Sequence, residues 1–295
     1  MTVRLIVNAD DYGHTPGVSQ GIREGHCRGI VTSTTAMMNM PGVEAALRQA
    51  AQECPRLGLG VHLVLTTGRA LLPAAALSNL LDGDGCFPGE EGLMARLATI
   101  DLNQVRSEWS AQVEKFVAIT GRAPDHLDSH HHAHYFSPGL CQVYLDLAQK
   151  YGCAVRFPTQ AVGMDILGEF PAAYAQACNA QNQALLRRYA VPAPDYFFKT
   201  FYDENCTREH LLNALANLPE GTTEMMCHPG YADQELIDSS TYASQRQNEL
   251  ALLTDEKIGK MIDNYHIELI PFGCLQAKRT DSEWLVVNER DGTNL

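Results

Sequence analysis

Short apolar segments alternate with longer amphipathic stretches along the chain. This alternation predicts repeated strand and helix units, the pattern of a parallel sheet covered by helices. The predicted strands lie at residues 3–9, 31–39, 57–65, 125–129, 153–157, 222–227 and 266–271. The predicted helices lie at residues 17–28, 42–53, 103–120, 138–151, 208–217 and 243–264, and the last is expected to break near Thr254 and Asp255.

Two long segments interrupt this alternation. Residues 66–100 are rich in Gly, Pro and Asp, which predicts a long loop with a short helix. Residues 158–205 combine a helical stretch with the aromatic run Tyr196-Phe197-Phe198. Long insertions in a compact α/β domain usually carry function, so we expect these two to wall a substrate groove. The sequence has no internal repeat or linker, so we expect residues 1–295 to form one domain.

Polar residues follow several of the predicted strands. The first strand ends at the adjacent carboxylates Asp10 and Asp11, and later strands lead to His62, Arg156 and His228. Parallel strands in a (β/α) barrel bring such residues together, because their carboxyl ends meet at one face. The sequence therefore predicts one polar site at the mouth of a parallel α/β barrel.

The segment from His126 to His134 contains five of the eleven histidines of the chain. If the segment is extended, His126, Asp128, His130 and His132 share one face, whereas a helical turn after Asp128 pairs His130 with His134. Position 130 is the preferred metal ligand in both cases, and Asp128 could orient an imidazole through its N–H. The alternative is an exposed His-rich loop with opportunistic metal affinity. The roles of the other histidines stay open.

Each of the remaining polar residues has a structural alternative. Asp10 or Asp11 could cap the following helix, although one carboxylate could also bind a metal while the other reaches a water. His62 and His228 could be hydrogen-bonded core or turn residues. Arg156 could orient Asp10, contact a substrate or form an ion pair at the barrel rim. A set of one Asp and two His suits Zn²⁺, Mn²⁺, Co²⁺ or Mg²⁺ and leaves coordination positions open for catalysis.

Composition narrows the classes of partner. The net charge is −13, from 22 Lys and Arg against 35 Asp and Glu, which disfavours nucleic acid as a partner. The nine cysteines are scattered without a Cys-x-x-Cys pair, which argues against a disulfide framework and a thiolate zinc site. No apolar run approaches the roughly 18 residues of a membrane span, and the start of the chain resembles no secretion signal. We therefore expect a cytoplasmic protein without a membrane partner.

Five ordered blocks of the sequence together resemble the YdjC-like carbohydrate deacetylases. The blocks are Ile6–Gly13, Gly29–Thr35, Gly60–His62, His126–His132 and Met226–Pro229, and the resemblance extends from about residue 3 to about residue 275. It implies a single-domain distorted (β/α) barrel with parallel strands, a divalent metal and a homodimer. The implied reaction is hydrolysis of the acetamide on an oligosaccharide that contains N-acetylglucosamine.

Matching positions imply roles for individual residues. Asp10 resembles the catalytic base of the family, Asp11, His62 and His130 resemble its metal ligands, and His228 falls where a general acid is expected. The expected activity is therefore release of acetate from oligosaccharides such as chitobiose or chitotriose, with Mg²⁺ or Zn²⁺ as the metal and Mn²⁺ or Co²⁺ as further options.

The segment 158–205 does not match the family pattern, so the identity of the glycan stays open. Similar enzymes also act on other N-acetylated glycans or glycolipids. Hydrolysis of another amide or of a phosphoester on the same barrel is one alternative, because a fold does not fix a function. A non-catalytic sugar-binding protein is the other alternative.

Overall fold

Eight strands form one curled parallel sheet within residues 2–159 and 167–276, which are the residues that the computed structural model describes. The strands are β1 (Val3–Tyr12), β2 (Ser33–Ala36), β3 (Gly58–Leu63), β4 (His126–Ser129), β5 (Ala154–Val155), β6 (Tyr196–Phe198), β7 (Gly221–Cys227) and β8 (Glu268–Leu269). Their order is β5-β4-β3-β2-β1-β7-β6, and β8 pairs with the beginning of β1. The central strand β1 therefore ends in the middle of the sheet.

Irregular chain connects the two edges of this sheet. The Val155 N–H donates to the Pro192 carbonyl at 2.9 Å, and the Thr159 N–H donates to the Pro194 carbonyl at 3.0 Å. Proline has no N–H to donate in return, so a regular ladder cannot form between β5 and this segment. The result is a distorted (β/α) barrel, which confirms the fold class predicted from the sequence.

Helices cover the outside of the sheet. They are α1 (Pro16–Arg28), α2 (Val43–Glu53), α3 (Gly89–Arg96), α4 (Leu102–Thr120), α5 (Pro138–Tyr151), α6 (Ala172–Tyr189), α7 (Arg208–Ala216), α8 (Gln234–Ser239), α9 (Ser244–Leu253) and α10 (Glu256–Asn264). Helix α1 packs on α2 and α9, α4 packs on α2 and α5, and α5 packs on α6. Among the described helices, none has both the length and the apolar character needed to cross a membrane.

The alternation of side chains along β1 separates two environments. Leu5, Val7 and Ala9 point toward the main apolar core, whereas Ile6 belongs to a small cluster with Ala154, Ile270 and Phe272. Because successive residues of a strand face opposite sides, Asn8 and Asp10 share the side of Ile6. The barrel interior thus changes from apolar at the beginning of β1 to polar at its end.

Several elements differ from the sequence prediction. Strand β2 is shorter than the predicted 31–39, because the Val31 N–H donates to the Gly25 carbonyl of α1 instead of a neighbouring strand. Strand β6 and helix α8 were not predicted, since three and six residues are too short for a clear periodic signal. The break in the last helix is confirmed, with Asp255 capping α10. The insertion at 158–205 includes residues outside the described ones, as does the chain after residue 276.

Candidate active site

A cleft of about 790 Å³ opens at the carboxyl ends of the strands. Its floor contains residues from the ends of β1, β3, β4 and β7, and one wall is formed by residues 199–205 and 239–242. The sequence-predicted residues Asp10, Asp11, His62, His130 and His228 all line it. The part of this wall at residues 199–205 belongs to the second insertion, which therefore lies beside the polar site.

The end of β1 is distorted where the two carboxylates occur. Asp11 has a φ of 70°, and the pairing of β1 with β2 shifts register between Ala9 and Tyr12. A residue other than glycine in this left-handed region costs on the order of 1 kcal/mol or more, and such strain is concentrated at functional sites. The distortion lets Asp10 and Asp11 both face the cleft, which adjacent residues of a regular strand do not do.

Asp11, His62 and His130 form a compact cluster. The Asp11 Oδ1 atom lies 3.3 Å from His62 Nε2 and 3.2 Å from His130 Nδ1, and the two imidazole nitrogens are 3.3 Å apart. Asp11 Oδ1 is buried and has no hydrogen-bond partner among residues 2–159 and 167–276. One carboxylate oxygen and two imidazole nitrogens converging on one point suit a divalent cation such as Zn²⁺. These three residues therefore form a candidate metal site.

Neighbouring residues fix the orientation of this cluster. His62 Nδ1 lies 2.6 Å from Asp128 Oδ1, and the Thr35 hydroxyl donates to Asp128 Oδ2 at 3.0 Å. Arg246 Nη2 donates to Asp11 Oδ2 at 2.6 Å, which leaves Oδ1 of that carboxylate facing the histidines. A metal-binding histidine commonly places its other ring nitrogen on a carboxylate in this way.

The electrostatics of the cluster follow from these contacts. Burial opposes ionisation of Asp11, but Arg246 and His130 hold its pKa well below the usual range. Burial also disfavours a charged His62, yet the Asp128 and Asp11 carboxylates raise its pKa to about 10. A proton and a divalent cation therefore compete for His62 Nε2.

Asp10 makes different contacts from Asp11. Arg156 donates to both oxygens of Asp10, at 2.6 and 2.7 Å, and the Asn8 amide donates to Oδ1 at 2.9 Å. Burial raises the pKa of Asp10, but the Arg156 guanidinium outweighs it and holds the pKa well below the usual range. Asp10 is thus an ionised, oriented carboxylate beside the Asp11 cluster.

Arg156 is the centre of a buried ionic network. Besides Asp10, it donates from Nε to Glu224 at 2.6 Å and lies 3.0 Å from Asp128 Oδ2. Burial raises the pKa of Glu224 to about 8 despite the ion pair with Arg156. These contacts favour orientation of Asp10 over contact with substrate or an ion pair at the barrel rim, since the arginine side chain is fully buried.

His228 follows β7, which pairs with β1 on the side away from the strands of the histidine cluster. Its Nε2 is 4.0 Å from Asp10 Oδ2, and its backbone N–H donates to Glu249 Oε2 at 2.5 Å. The rings of Tyr202 and Tyr242 flank the imidazole at steep angles, with ring centroids 5.4 and 5.7 Å away. Burial lowers the pKa of His228 to about 4.

The histidine-rich segment is neither a continued strand nor a regular helix. Residues 130–135 form a 3₁₀ turn in which His131 and His132 have positive φ values of 52° and 56°. His130 reaches the Asp11 cluster, whereas His134 contacts the Ser129 hydroxyl and the Arg156 carbonyl. His126 contacts Asn8 and stacks on Phe272 inside the barrel. His126 and His134 thus contact barrel and backbone atoms away from the candidate metal site.

Sequence reasoning missed five polar residues of this region, namely Asn8, Thr35, Glu224, Arg246 and Glu249. The first three could have been found from the sequence, because each is a polar residue within a predicted strand. A polar side chain at such a position is expected to face other polar groups. Arg246 and Glu249 lie on α9, where arginine and glutamate are usually solvent-exposed, so no local signal marks them.

Comparisons with known proteins place these residues in a family context. The family model described as YdjC-like protein matches residues 4–264. A protein from Thermoanaerobacter pseudethanolicus named carbohydrate deacetylase is 34% identical over 272 residues, which covers 92% of this chain and 99% of the relative. A protein of the same name from Geobacillus stearothermophilus is 36% identical over 270 residues, which covers 90% of this chain and 96% of the relative.

Solved structures share the fold. A crystal structure from Enterococcus faecalis, described as a candidate cellobiose-phosphate cleavage protein, has a TM-score of 0.82 and 34% sequence identity, covering 94% of this chain and 100% of its own. A structure of an uncharacterised protein from Agrobacterium tumefaciens has a TM-score of 0.53 at 12% identity, covering 93% of this chain and 89% of its own. At that identity the second likeness concerns the fold alone.

Proposed function

This chain belongs to the YdjC-like protein family, and on that premise we propose that it is a metal-dependent carbohydrate deacetylase. The observation that carries the proposal is the position of Asp10 at the floor of the cleft. It lies near the end of β1, which stands between the strands of the two cluster histidines and the strand that leads to His228, and its Oδ2 is 4.0 Å from His228 Nε2. A base, a candidate cation site and an acid converge there, as metal-assisted hydrolysis of an amide requires. The relatives named carbohydrate deacetylase supply the substrate class.

The proposed metal ligands are Asp11, His62 and His130. A divalent cation held by them would act as a Lewis acid toward the acetyl carbonyl. We propose Mg²⁺ or Zn²⁺, with Mn²⁺ and Co²⁺ as further options, and the two imidazole nitrogens favour the ions that are softer than Mg²⁺. Asp128 orients His62, and Arg246 orients Asp11, so that the donor atoms face one point.

Two residues on different sides of the site carry out the proton transfers. Asp10 accepts a proton from the attacking water, while Arg156 keeps its carboxylate ionised and fixed. His228, on the other side, donates a proton to the departing amine. The products are acetate and a sugar with a free amine.

We further propose that the substrate is an N-acetylated oligosaccharide such as chitobiose or chitotriose. Pockets of about 300–1,000 Å³ enclose ligands of this general size, and the cleft of about 790 Å³ falls in that range. The homodimer implied by the resemblance and the cytoplasmic location expected from the sequence stay predictions, as does the single-domain organisation.

The test is incubation of the purified protein with chitobiose, chitotriose and other N-acetylated oligosaccharides in the presence of each of the four metals. Mass spectrometry should detect the loss of one acetyl group per product molecule, and an enzymatic assay should detect an equal amount of acetate. A parallel panel of phosphate esters identifies a phosphoesterase. Phosphate release without acetate, or an oligosaccharide that binds and stays unchanged with every metal, would reject the proposal.

A further inference from the structure

His228 has an unsatisfied atom that bears on its proposed role. Its Nδ1 is buried and has no hydrogen-bond partner among the described residues. A neutral imidazole carries one proton, so Nδ1 determines whether the opposite nitrogen, Nε2, is a donor or an acceptor. A proton donor to an amine in the cleft needs its proton on Nε2. The polar group that faces Nδ1 therefore decides whether His228 can act as an acid.

That group is Glu249. Its Oε1 atom lies 3.9 Å from His228 Nδ1, and its Oε2 accepts the His228 backbone N–H at 2.5 Å. The distance to Nδ1 is longer than a formed hydrogen bond, and catalytic hydrogen bonds are often longer before substrate binds. The glutamate is fully buried on α9. It is therefore held against the histidine by the backbone of the histidine itself.

The protonation state of Glu249 fixes the tautomer of His228. The Tyr242 hydroxyl and the His228 N–H are both donors to this carboxyl group, at 2.5 Å each. A protonated Glu249 needs an acceptor for its own O–H, and the unpartnered His228 Nδ1 is the acceptor that faces it. An ionised Glu249 would instead attract a proton onto Nδ1 and leave Nε2 without one.

We propose that Glu249 is a positioning residue that, in its protonated form, donates to His228 Nδ1 and supplies the proton that His228 passes to the leaving amine. This inference rests on the proposed deacetylase function. It places a carboxyl group from α9 behind the proposed acid, His228. The sequence alone does not identify this glutamate as a site residue.

The proton balance closes over one turnover. His228 Nε2 gives its proton to the nitrogen as the C–N bond breaks, and the Glu249 O–H proton moves to Nδ1, so that the imidazole stays neutral. Asp10 meanwhile holds the proton taken from water. Transfer of that proton to His228 Nε2, 4.0 Å away, and of the Nδ1 proton back to Glu249 restores the initial state. No oxidant or other reactant is needed.

The surroundings of the pair are consistent with a neutral carboxyl group near neutral pH. Burial raises the pKa of Glu249 to about 7, although the hydrogen bonds from His228 and Tyr242 and the charge of Arg246 oppose the rise. The titratable and charged groups that face the pair are Asp10 and Asp11 at the end of β1, Arg156 after β5, Cys227 in β7, Tyr202 and Cys206 before α7, Tyr242 before α9, and Arg246 on α9.

The discriminating experiment uses two substrates with different leaving groups. Chitobiose leaves an amine that must be protonated, whereas 4-nitrophenyl acetate leaves a phenolate that needs no proton. In Glu249→Gln the amide side chain can still accept the His228 N–H and donate to the Tyr242 hydroxyl, so the local packing is kept. We expect kcat for chitobiose to fall about 100-fold with little change in KM, since a general acid contributes about 10²–10⁴-fold. The rate with 4-nitrophenyl acetate should change less than about threefold.

The pH profile provides a second readout that a structural role would not change. In the wild-type protein, activity on chitobiose should fall as the pH rises through about 7, while activity on 4-nitrophenyl acetate should show no such fall. In Glu249→Gln the residual activity on chitobiose should lose this fall, because the titrating group is absent. Glu256→Gln, an exposed substitution on the adjacent helix α10, is the matched control and should leave both rates and the profile unchanged.

The outcomes separate this inference from the proposed function. If the wild-type protein releases no acetate from any N-acetylated sugar, the proposed function fails. If it does, and Glu249→Gln retains its rate on chitobiose or loses both activities equally in a folded protein, the inference is wrong. Should the variant not fold, the comparison of the two wild-type pH profiles decides, and identical profiles for the two substrates would reject the inference.

Discussion

The two adjacent carboxylates at the end of β1 differ in which of their oxygens are occupied. Asp10 uses both oxygens, accepting two hydrogen bonds from Arg156 and one from Asn8. Asp11 uses Oδ2 for Arg246, whereas its Oδ1 faces His62 and His130 and accepts no hydrogen bond from any residue that the structure describes. The free oxygen therefore belongs to Asp11, which supports a ligand role for Asp11 and a base role for its neighbour.

The first prediction concerns Asp10→Asn. The substitution removes the basic oxygen but leaves Asp11, His62 and His130 in place, so the protein should keep its metal. Acetate release should fall about 10²–10⁴-fold, the usual contribution of a general base. Metal content is measured by inductively coupled plasma mass spectrometry on the same samples as the acetate assay.

Asp263→Asn is the control for this experiment, because Asp263 is exposed on α10 and is not among the residues that line the cleft. It should retain both metal and activity. Loss of stoichiometric metal in Asp10→Asn would mean that the roles of Asp10 and Asp11 are assigned the wrong way round.

The second prediction concerns the two histidines of the cluster. His62→Ala and His130→Ala should each lose metal and acetate release together, because each removes one of the three donor atoms that converge on the same point. Isothermal titration with Zn²⁺ measures the loss of affinity directly. His210→Ala, which removes a partly exposed histidine on α7, should bind Zn²⁺ as tightly as the wild-type protein. A variant at 62 or 130 with wild-type affinity would remove that residue from the ligand set.

At the scale of elements, the site residues at the ends of strands were predictable from the sequence, whereas the site residues on a helix were not. Asp10, Asp11, His62 and His228 each follow an apolar segment, so their convergence follows from the rule that parallel strands end at one face. Arg246 and Glu249 reach the same site from α9, and their burial depends on how that helix packs on α1 and the barrel mouth. Residue patterns carry little information on such packing.

The same limit applies to the conformation of single residues. The positive φ of Asp11 and the 3₁₀ turn after Ser129 depend on contacts with distant segments, such as Arg246 for Asp11. The sequence therefore predicted which residues lie near the site, but not the backbone conformation that orients their side chains. Strand β6 was likewise missed, because its three residues pair with β7 without a periodic pattern of their own.

The third prediction tests the close approach of β3 and β4. A Cβ atom at Gly60 would lie 2.6 Å from the His126 ring and 2.7 Å from the His126 carbonyl oxygen. The backbone of a neighbouring strand cannot move away without disturbing the pairing of His62 with Asp128. Gly60→Ala should therefore lower the free energy of unfolding by about 1–3 kcal/mol, as overpacking of a core does. Urea denaturation followed by circular dichroism measures the change.

Gly42→Ala provides a matched substitution at an open position. No atom lies within 4 Å of a Cβ built at Gly42, which precedes α2 with a φ of −85°. This variant should be neutral or more stable by up to about 1 kcal/mol, because alanine restricts the unfolded chain. Equal effects of the two substitutions would show that the barrel interior tolerates a side chain at position 60.

At the scale of the whole molecule, the candidate site concentrates buried charge. Five buried carboxyl groups, those of Asp10, Asp11, Asp128, Glu224 and Glu249, surround two buried arginines in the described part of the chain. Burial of unbalanced negative charge is costly, so some of these groups hold a proton or require a cation. The carboxyl groups near Arg156 therefore couple the stability of the protein to pH.

The last prediction concerns Glu224, whose pKa burial raises from 4.5 to about 8. Between pH 4.5 and about pH 8, Glu224 therefore stays protonated in the folded protein but is ionised in the unfolded chain. The free energy of unfolding should decrease as the pH rises through this range. Glu224→Gln cannot titrate but can still accept a hydrogen bond from Arg156. The difference in the free energy of unfolding between the variant and the wild-type protein should therefore shift in favour of the variant by more than about 1 kcal/mol from pH 5 to pH 8, since one pKa unit corresponds to about 1.4 kcal/mol.

Urea denaturation at pH 5, 6, 7 and 8, with chelator present throughout, measures this difference without a contribution from bound metal. Glu209→Gln, an exposed substitution on α7, should shift the free energy of unfolding by less than about 0.5 kcal/mol at every pH. A constant difference between Glu224→Gln and the wild-type protein would mean that Glu224 is ionised in the folded state. Arg156 would then balance Glu224 as well as Asp10, and the excess of buried negative charge at the site would be larger.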